Sequence, residues 1–430
     1  MGAERFHKSM EWLQRAEACV PGASQTFSKG PNQFVRGASP LFLAHGKGAH
    51  VWDLDGNKYL DFTMALCALS LGYSDPDVNA AVARQLEGGV IFTLPHPLEA
   101  EVAELLCKLI PSAEMVRFGK NGSDATSGAV RLARAFTGRE LIAACGYHGW
   151  QDWYIGTTTR SLGVPKVVRD LTRTFTYNKI ETLERVFDEH PGQVAAVIME
   201  PVGVEIPRSG FLEAVRALCT RHGALLIFDE VITGFRLALG GAQEYFGILP
   251  DLSCFGKGMS NGFPLAAIVG RREIMRLFEE VFFSFTAGGE VVSLSACLAT
   301  VTKMQKQKVV QHLWRAGERL RDHANRAAAA SGVSDPIKCV GLGPRTVLTF
   351  AHPDGSPWWE LKSLVQQECI KRGLLFTGGH NMALAHGDVE VAAACAIYDE
   401  VFALASEALR VGDLAARLEG PPVEPVFREP

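Results

Sequence analysis

Four short stretches carry side chains whose types and spacing permit chemistry. The first is "FGKGMSNG" (255–262), which sets Lys257 between two glycines. Such a lysine can grip a phosphate, sit in a surface turn, or be held for its amine. The phosphate grip of a P-loop needs Gly at 251 and Ser or Thr at 258. The chain has Asp251 and Gly258, so that reading fails. The second is a set of bare apolar runs that end abruptly in polar residues. "VAAVIME" ends at Glu200, "ALLIFDE" brings Asp229, and "DLSCFGK" runs into Lys257. In an open parallel sheet, ligands bind beyond the carboxyl ends of the strands, so an acid and a lysine delivered there can meet. Asp229 precedes Lys257 by 28 residues (257 − 229), about one strand–helix–strand unit.

The third stretch is "GKNGSDATSGAVRLARAFTG" (119–138), where Asn121, Gly122 and Ser123 precede Ala129, Val130, Leu132, Ala133 and Phe136 at helical spacing. Free amides and the helix dipole make such a start a phosphate cup, although ordinary N-caps look the same. The fourth is the aromatic "GYHGWQDW" (146–153). An imine-forming lysine, an acid to keep a ring nitrogen protonated, a flat side chain and a phosphate-binding helix start are what pyridoxal phosphate needs. Each part also has a bland reading. Lys257 can be a solvated loop lysine, Asp229 a strand-end cap, Tyr147 a core aromatic, and His148 a structural hydrogen-bonding residue. Trp358 and Trp359 read as packing or surface residues, and Glu200 as a supporting carboxylate.

The elements that must position these residues follow from pattern. With 430 residues the chain exceeds one small core, and two packed units are expected. Residues 1–70 mix a short helix, Gly/Pro-rich loops and a hairpin at "DLDGNKY". Residues 71–310 alternate amphipathic helices with apolar runs, which predicts an α/β domain with a mostly parallel central sheet flanked by helices. Residues 311–430 predict a smaller α+β domain. Hydrophobic residues make up 47% and charged residues 21%, with a net charge of −4 and no long run of one sign. That balance argues against nucleic acid and against a membrane surface as partners. The first twenty residues hold no apolar leader core, and eighteen apolar residues never run together. The ten cysteines form no C-x-x-C pair and no zinc-spaced cluster, so reduced thiols, a cytoplasmic location and no metal are expected.

Several motifs occur together and in order: "NGSDAT" (121–126), "YHGW" (147–150), "FDEVITGFR" (228–236) and "PDLSCFGKGMSNGFPLAAIVG" (250–270). In them the chain resembles the class III pyridoxal-phosphate-dependent aminotransferases, and more closely the glutamate-1-semialdehyde aminomutase-like subgroup. The likeness runs from "VPGASQTFSK" to "ALAHGD" (383–388). It implies the type I aminotransferase fold, with the smaller domain built from both termini and residues 1–70 contributing to that domain and to a substrate loop. It makes Lys257 the cofactor-bound lysine and catalytic acid/base, and it pairs Asp229 with the ring nitrogen. Val231 and Tyr147 would take the two ring faces, with His148 beside them. Asn121, Gly122 and Ser123 would hold the phosphate. Thr286, in "FSFTAGGE", matches a threonine that reaches the neighbouring subunit's cofactor, which implies a homodimer with shared sites.

The chain also departs from the family. No arginine follows Gly373 in "KRGLLFTGGHNMALAHGD", where many relatives hold a substrate carboxylate, and Thr26 and Lys29 stand where the aminomutase loop has serine and arginine. Lys29 can attract an anion as a point charge. Thr26, Lys29, Trp150, Glu205, His380 and Asn381 are the candidate substrate contacts. The expected activity is transfer of an amino group between an amine and a small carbonyl compound by a ping-pong mechanism. An aminomutase or racemase outcome, or a non-catalytic cofactor-binding protein, are the alternatives.

Overall fold

Short alternating strands open the first sheet of the computed structural model, which describes residues 5–426. β1 (Leu43–Lys47), β2 (His50–Asp53) and β3 (Lys58–Asp61) pair antiparallel in order. The turn at "DLDGNKY" is held by the Asp53 carboxylate. It accepts from the amides of Asp55 at 3.0 Å and Asn57 at 2.8 Å, while Gly56 supplies a φ of 91°.

The central sheet has seven strands. They are β4 (Met115–Gly119), β5 (Leu141–Cys145), β6 (Thr172–Thr174), β7 (Val194–Met199), β8 (Leu225–Asp229), β9 (Leu252–Phe255) and β10 (Ala266–Gly270), in spatial order β4-β10-β9-β8-β7-β5-β6. From β6 across to β9 each pair is parallel, and β10 runs antiparallel to both β9 and β4. Alternation along these strands feeds two cores. Ile142, Ile198 and Ile227 pack on one face with the helix Gly122–Thr137, whereas Ala143, Val197 and Phe228 pack on the other with the helix Phe211–His222. Both faces are covered, which is why the strands read as continuous apolar runs. Phe136, expected on the buried stripe, is 39% exposed because it lies in the last turn of its helix.

The C-terminal segment adds β11 (Ile337–Leu342), β12 (Arg345–Phe350), β13 (Leu374–Leu375) and β14 (Gly379–Asn381). β11, β12 and β14 form an antiparallel sheet, and β13 extends the first sheet parallel to β3. The described chain divides into two compact units. One holds residues up to Leu66, Leu71–Asp75 and those from Gln311 on; the other holds Cys67–Ser70 and Pro76–Val310. The passage near residue 70 is therefore three crossings, at 66/67, 70/71 and 75/76, rather than the single cut expected from sequence pattern. All ten cysteines are free, and among the described residues no helix is long and apolar enough to cross a membrane.

Candidate active site

Parallel pairing of β8 and β9 brings the acid and the amine to one end of the sheet. Asp229 ends β8 and sits in register with Cys254 of β9, and Lys257 follows three residues later. Lys257 is half-buried and opens a short 3-10 turn, Lys257–Ser260, with φ at 43°. A left-handed backbone costs an L-residue roughly 1–2 kcal/mol and persists only where surrounding structure imposes it. The two flanking glycines differ in kind. A Cβ on Gly258 would lie 2.3 Å from the Ser70 hydroxyl, so the turn needs glycine there, whereas one on Gly256 would meet only ordinary contacts of 3.5 Å or more. The Ser70 hydroxyl itself is buried and has no hydrogen-bond partner among the described residues.

Asp229 is 5% exposed, and its Oδ2 lies 2.8 Å from His148 Nδ1 while Oδ1 accepts from the Val231 amide at 3.1 Å. His148 Nε2 faces the Cys145 carbonyl at 3.1 Å. The imidazole is thus oriented by the carboxylate on one side and a backbone carbonyl on the other. The Thr126 hydroxyl donates to the His148 carbonyl at 2.7 Å, tying this segment to the helix Gly122–Thr137.

At the start of that helix the Asn121 side chain is spent on a capping box with Asp124. The amides of Gly122 and Ser123 fall in the first turn, where no intrahelical acceptor exists, and are the groups left to bind an anion. The Ser123 hydroxyl accepts from the Trp150 amide at 3.2 Å. Gly149, at φ 106°, allows this approach, since a Cβ there would lie 2.1 Å from the Ser123 Oγ. Val231 bridges the parts: it lies 3.0 Å from where a Cβ on Gly122 would be and 3.5 Å from one on Gly256. Tyr147 is 48% exposed, packs edge-on against Tyr154, and has its backbone amide held by Glu200 at 3.2 Å. Burial, and then the charge of Asp229, push its phenol pKa upward.

The sequence matches the family Aminotransferase class-III over residues 34–344. The chain belongs to the class III aminotransferases. It is 41% identical over 392 residues to a glutamate-1-semialdehyde 2,1-aminomutase of Syntrophobacter fumaroxidans, covering 84% of this chain and 90% of that one. It is 33% identical over 398 residues to a 3-aminobutyryl-CoA aminotransferase of Cloacimonas acidaminovorans, covering 90% and 95%. Among solved structures, the pyridoxal phosphate internal aldimine form of the Sphingopyxis sp. MTA144 FumI protein superposes with a TM-score of 0.87 at 29% identity, covering 96% of this chain and 99% of that one.

Pyridoxal phosphate is the cofactor of this class III aminotransferase, and its donor set fits that molecule. A primary amine, a buried carboxylate backed by histidine, an apolar ring-sized contact at Val231 and two unspent helix amides lie within one unit. The other expected residues fall differently. Thr286 is exposed, Trp150 is 64% exposed, and Glu205 is exposed with its Oε1 accepting from Asn178 at 2.7 Å. Thr26 and Lys29 are exposed in the first unit. His380 is placed as a core residue: Thr346 lies 2.8 Å from its Nδ1 and Tyr398 2.6 Å from its Nε2, and burial lowers its pKa to about 4. Asn381 is also committed internally, its amide nitrogens donating to the Phe62 and Thr63 carbonyls. Both side chains are buried in the first unit, and a substrate role for them rests on expectation alone.

One residue escaped the sequence reading. Glu230, next to Asp229, is fully buried and accepts from Thr233, from the amides of Ala242 at 2.7 Å and Gln243 at 2.8 Å, and from the Gln243 side chain. No cation pairs with it among the described residues, and burial raises its pKa to about 7. The adjacent acids of "DE" at a strand end were the available signal, since alternation sends them to opposite faces.

Proposed function

We propose that the protein moves an amino group from an amino donor to a small carbonyl acceptor in a two-stage ping-pong cycle. The observation that carries the reading is the register of Asp229 with Cys254, which sets a histidine-backed carboxylate and the Lys257 amine at neighbouring strand ends. Bound pyridoxal phosphate supplies an electron sink that stabilises negative charge at the carbon losing its proton. Asp229 would pair with the ring nitrogen, and His148 would fix the orientation of that carboxylate. Val231 and Tyr147 confine the ring, and the Gly122 and Ser123 amides hold the phosphate. The Lys257 amine would anchor the cofactor between turnovers and would serve as the acid/base that removes the substrate proton and returns it two bonds away.

Lys257→Ala tests this. The variant should lose the absorbance of lysine-bound cofactor at about 410–430 nm and should lose turnover. Turnover at the wild-type rate would overturn the mechanism. The 41% identity to an aminomutase supports a second outcome on the same site, isomerisation without an external acceptor. Incubating candidate amines alone and assaying for an isomer separates the two. A homodimer with Thr286 reaching the partner's site is also proposed; exposed Thr286, Phe282 and Phe285 support it, and sedimentation as a single chain would oppose it. A cytoplasmic location is supported by ten free cysteines and is tested by cell fractionation.

A further inference from the structure

Lys257 is gripped on both sides by one short segment that begins at Asp229. The Glu230 amide donates to the Cys254 carbonyl at 2.8 Å, tying the start of the segment to β9. The Glu230 carbonyl accepts from the Gly234 amide at 2.8 Å, and the Thr233 carbonyl accepts from the Arg236 amide at 3.2 Å. The Thr233 hydroxyl also donates to the buried Glu230 carboxylate. Residues 230–236 therefore close into successive turns rather than a loose loop.

The segment returns to Lys257 at two places. On one side, Phe235 is buried with φ at 56° and packs edge-on against Phe255, 5.8 Å between ring centroids. Phe255 stands two residues before Lys257. Gly234 permits that approach, since a Cβ there would lie 2.3 Å from the Phe255 Cδ1. On the other side, one residue beyond Lys257, a Cβ on Gly258 would lie 3.6 Å from Arg236 Nη2.

Arg236 is 1% exposed and among the largest fully buried side chains. A cation is rarely buried for packing alone, because it loses its hydration. Its Nε donates to the Ile232 carbonyl at 3.3 Å and its Nη2 to the Cys67 carbonyl at 3.0 Å. A planar guanidinium donates in fixed directions, so bonds to carbonyls on two separate stretches lock it in place. With the buried Ser70 hydroxyl it fills the space beside the Lys257–Ser260 turn. This is the surrounding structure that the left-handed backbone of Lys257 requires.

We propose that Arg236 is a positioning residue. With Phe235 it clamps residues 255–258 and sets where the Lys257 amine stands relative to Asp229. The inference rests on the aminotransferase reading and adds to it a residue that acts through the Lys257 turn.

The test compares two cofactor forms that need Lys257 differently. Pyridoxal phosphate condenses with the Lys257 amine and releases one water, whereas pyridoxamine phosphate carries no aldehyde and forms no bond to lysine. Arg236→Lys keeps the charge and loses the planar fork; Arg236→Met keeps the stem and loses the charge. Both variants should bind pyridoxal phosphate at least about tenfold more weakly and pyridoxamine phosphate within about twofold of wild type. Borohydride reduction followed by peptide mass analysis should show less cofactor fixed on Lys257 at equal pyridoxal phosphate. At saturating cofactor, kcat should fall by as much as about a hundredfold, as for a displacement of about 1 Å, with KM for the amino donor unchanged. Equal weakening of both cofactor forms, or failure of Arg236→Lys to fold, overturns the proposal by making Arg236 a general support of the unit. Unchanged binding of pyridoxal phosphate in both variants overturns it as well. The aminotransferase reading fails separately: Lys257→Ala should erase any preference of the protein for pyridoxal phosphate, and a preference that survives it refutes that reading whatever the Arg236 variants show.

Discussion

Replacing Glu230 by glutamine isolates a pH dependence of stability that the structure places in one residue. Its carboxyl is raised from 4.5 to about 7, first by burial, against the opposing hydrogen bonds from Thr233, Ala242 and Gln243. Between those values the folded protein keeps a proton that the unfolded chain has released. Stability from this group is therefore fully present below about pH 4.5 and is lost as pH rises through about 7. The interval is 7 − 4.5 = 2.5, and at about 1.36 kcal/mol for each pH unit the loss comes to roughly 3 kcal/mol. Glu230→Gln cannot titrate. It also places an amide where the Ala242 and Gln243 N–H groups need acceptors, a penalty of about 1–3 kcal/mol that does not vary with pH. Urea unfolding of both proteins, each saturated with cofactor, should be compared at pH 5, 6, 7 and 8. The wild type should lose stability relative to Glu230→Gln across that series, with similar urea dependence in both. A difference that stays constant from pH 5 to 8 would refute the reasoning, because Glu230 would then ionise alike in the folded and unfolded chains.

Two further perturbations probe the strand ends. Asp229→Asn keeps the side-chain shape but leaves His148 facing a neutral amide; a loss of about 3 kcal/mol or more predicts a half-reaction slowed by about a hundredfold or more, read by stopped-flow loss of the cofactor band with an amino donor. A rate within tenfold of wild type would remove Asp229 from the chemistry. Gly258→Ala forces a Cβ to 2.3 Å from the Ser70 hydroxyl and should cost about 1–3 kcal/mol by thermal or urea unfolding. Adding Ser70→Ala removes the obstructing oxygen and should restore most of that stability, since the Ser70 Cβ lies at 3.7 Å. No recovery in the double variant would mean that the turn, not the contact, requires glycine.

Much of the architecture was legible because burial on both faces leaves a one-dimensional trace. The runs "VAAVIM", "ALLIF" and "LSCF" read as strands from their unbroken apolarity, and their polar ends pointed to Asp229 and Lys257. The helix start at Asn121 was legible for the same reason, a local cap followed by a periodic stripe. The burial of His380 and Asn381 was not. Polar residues near a chain's last strand look alike whether they face a ligand or a partner side chain, and only the pairing of β14 with β12 decides between them.

By itself, the sequence determined the element types, the alternation of strand and helix, and the candidate groups for holding pyridoxal phosphate. These depend on residue type and short-range spacing, which the chain carries directly. Tertiary structure decided which carboxylate is backed by His148, that Glu230 turns away from Asp229 into a cation-free interior, and that Gly258 and Gly256 meet different demands. Each of these rests on contacts that the fold makes, from Glu230 with Ala242 to Gly258 with Ser70, and their cost depends on distances of tenths of an ångström, which no linear pattern encodes.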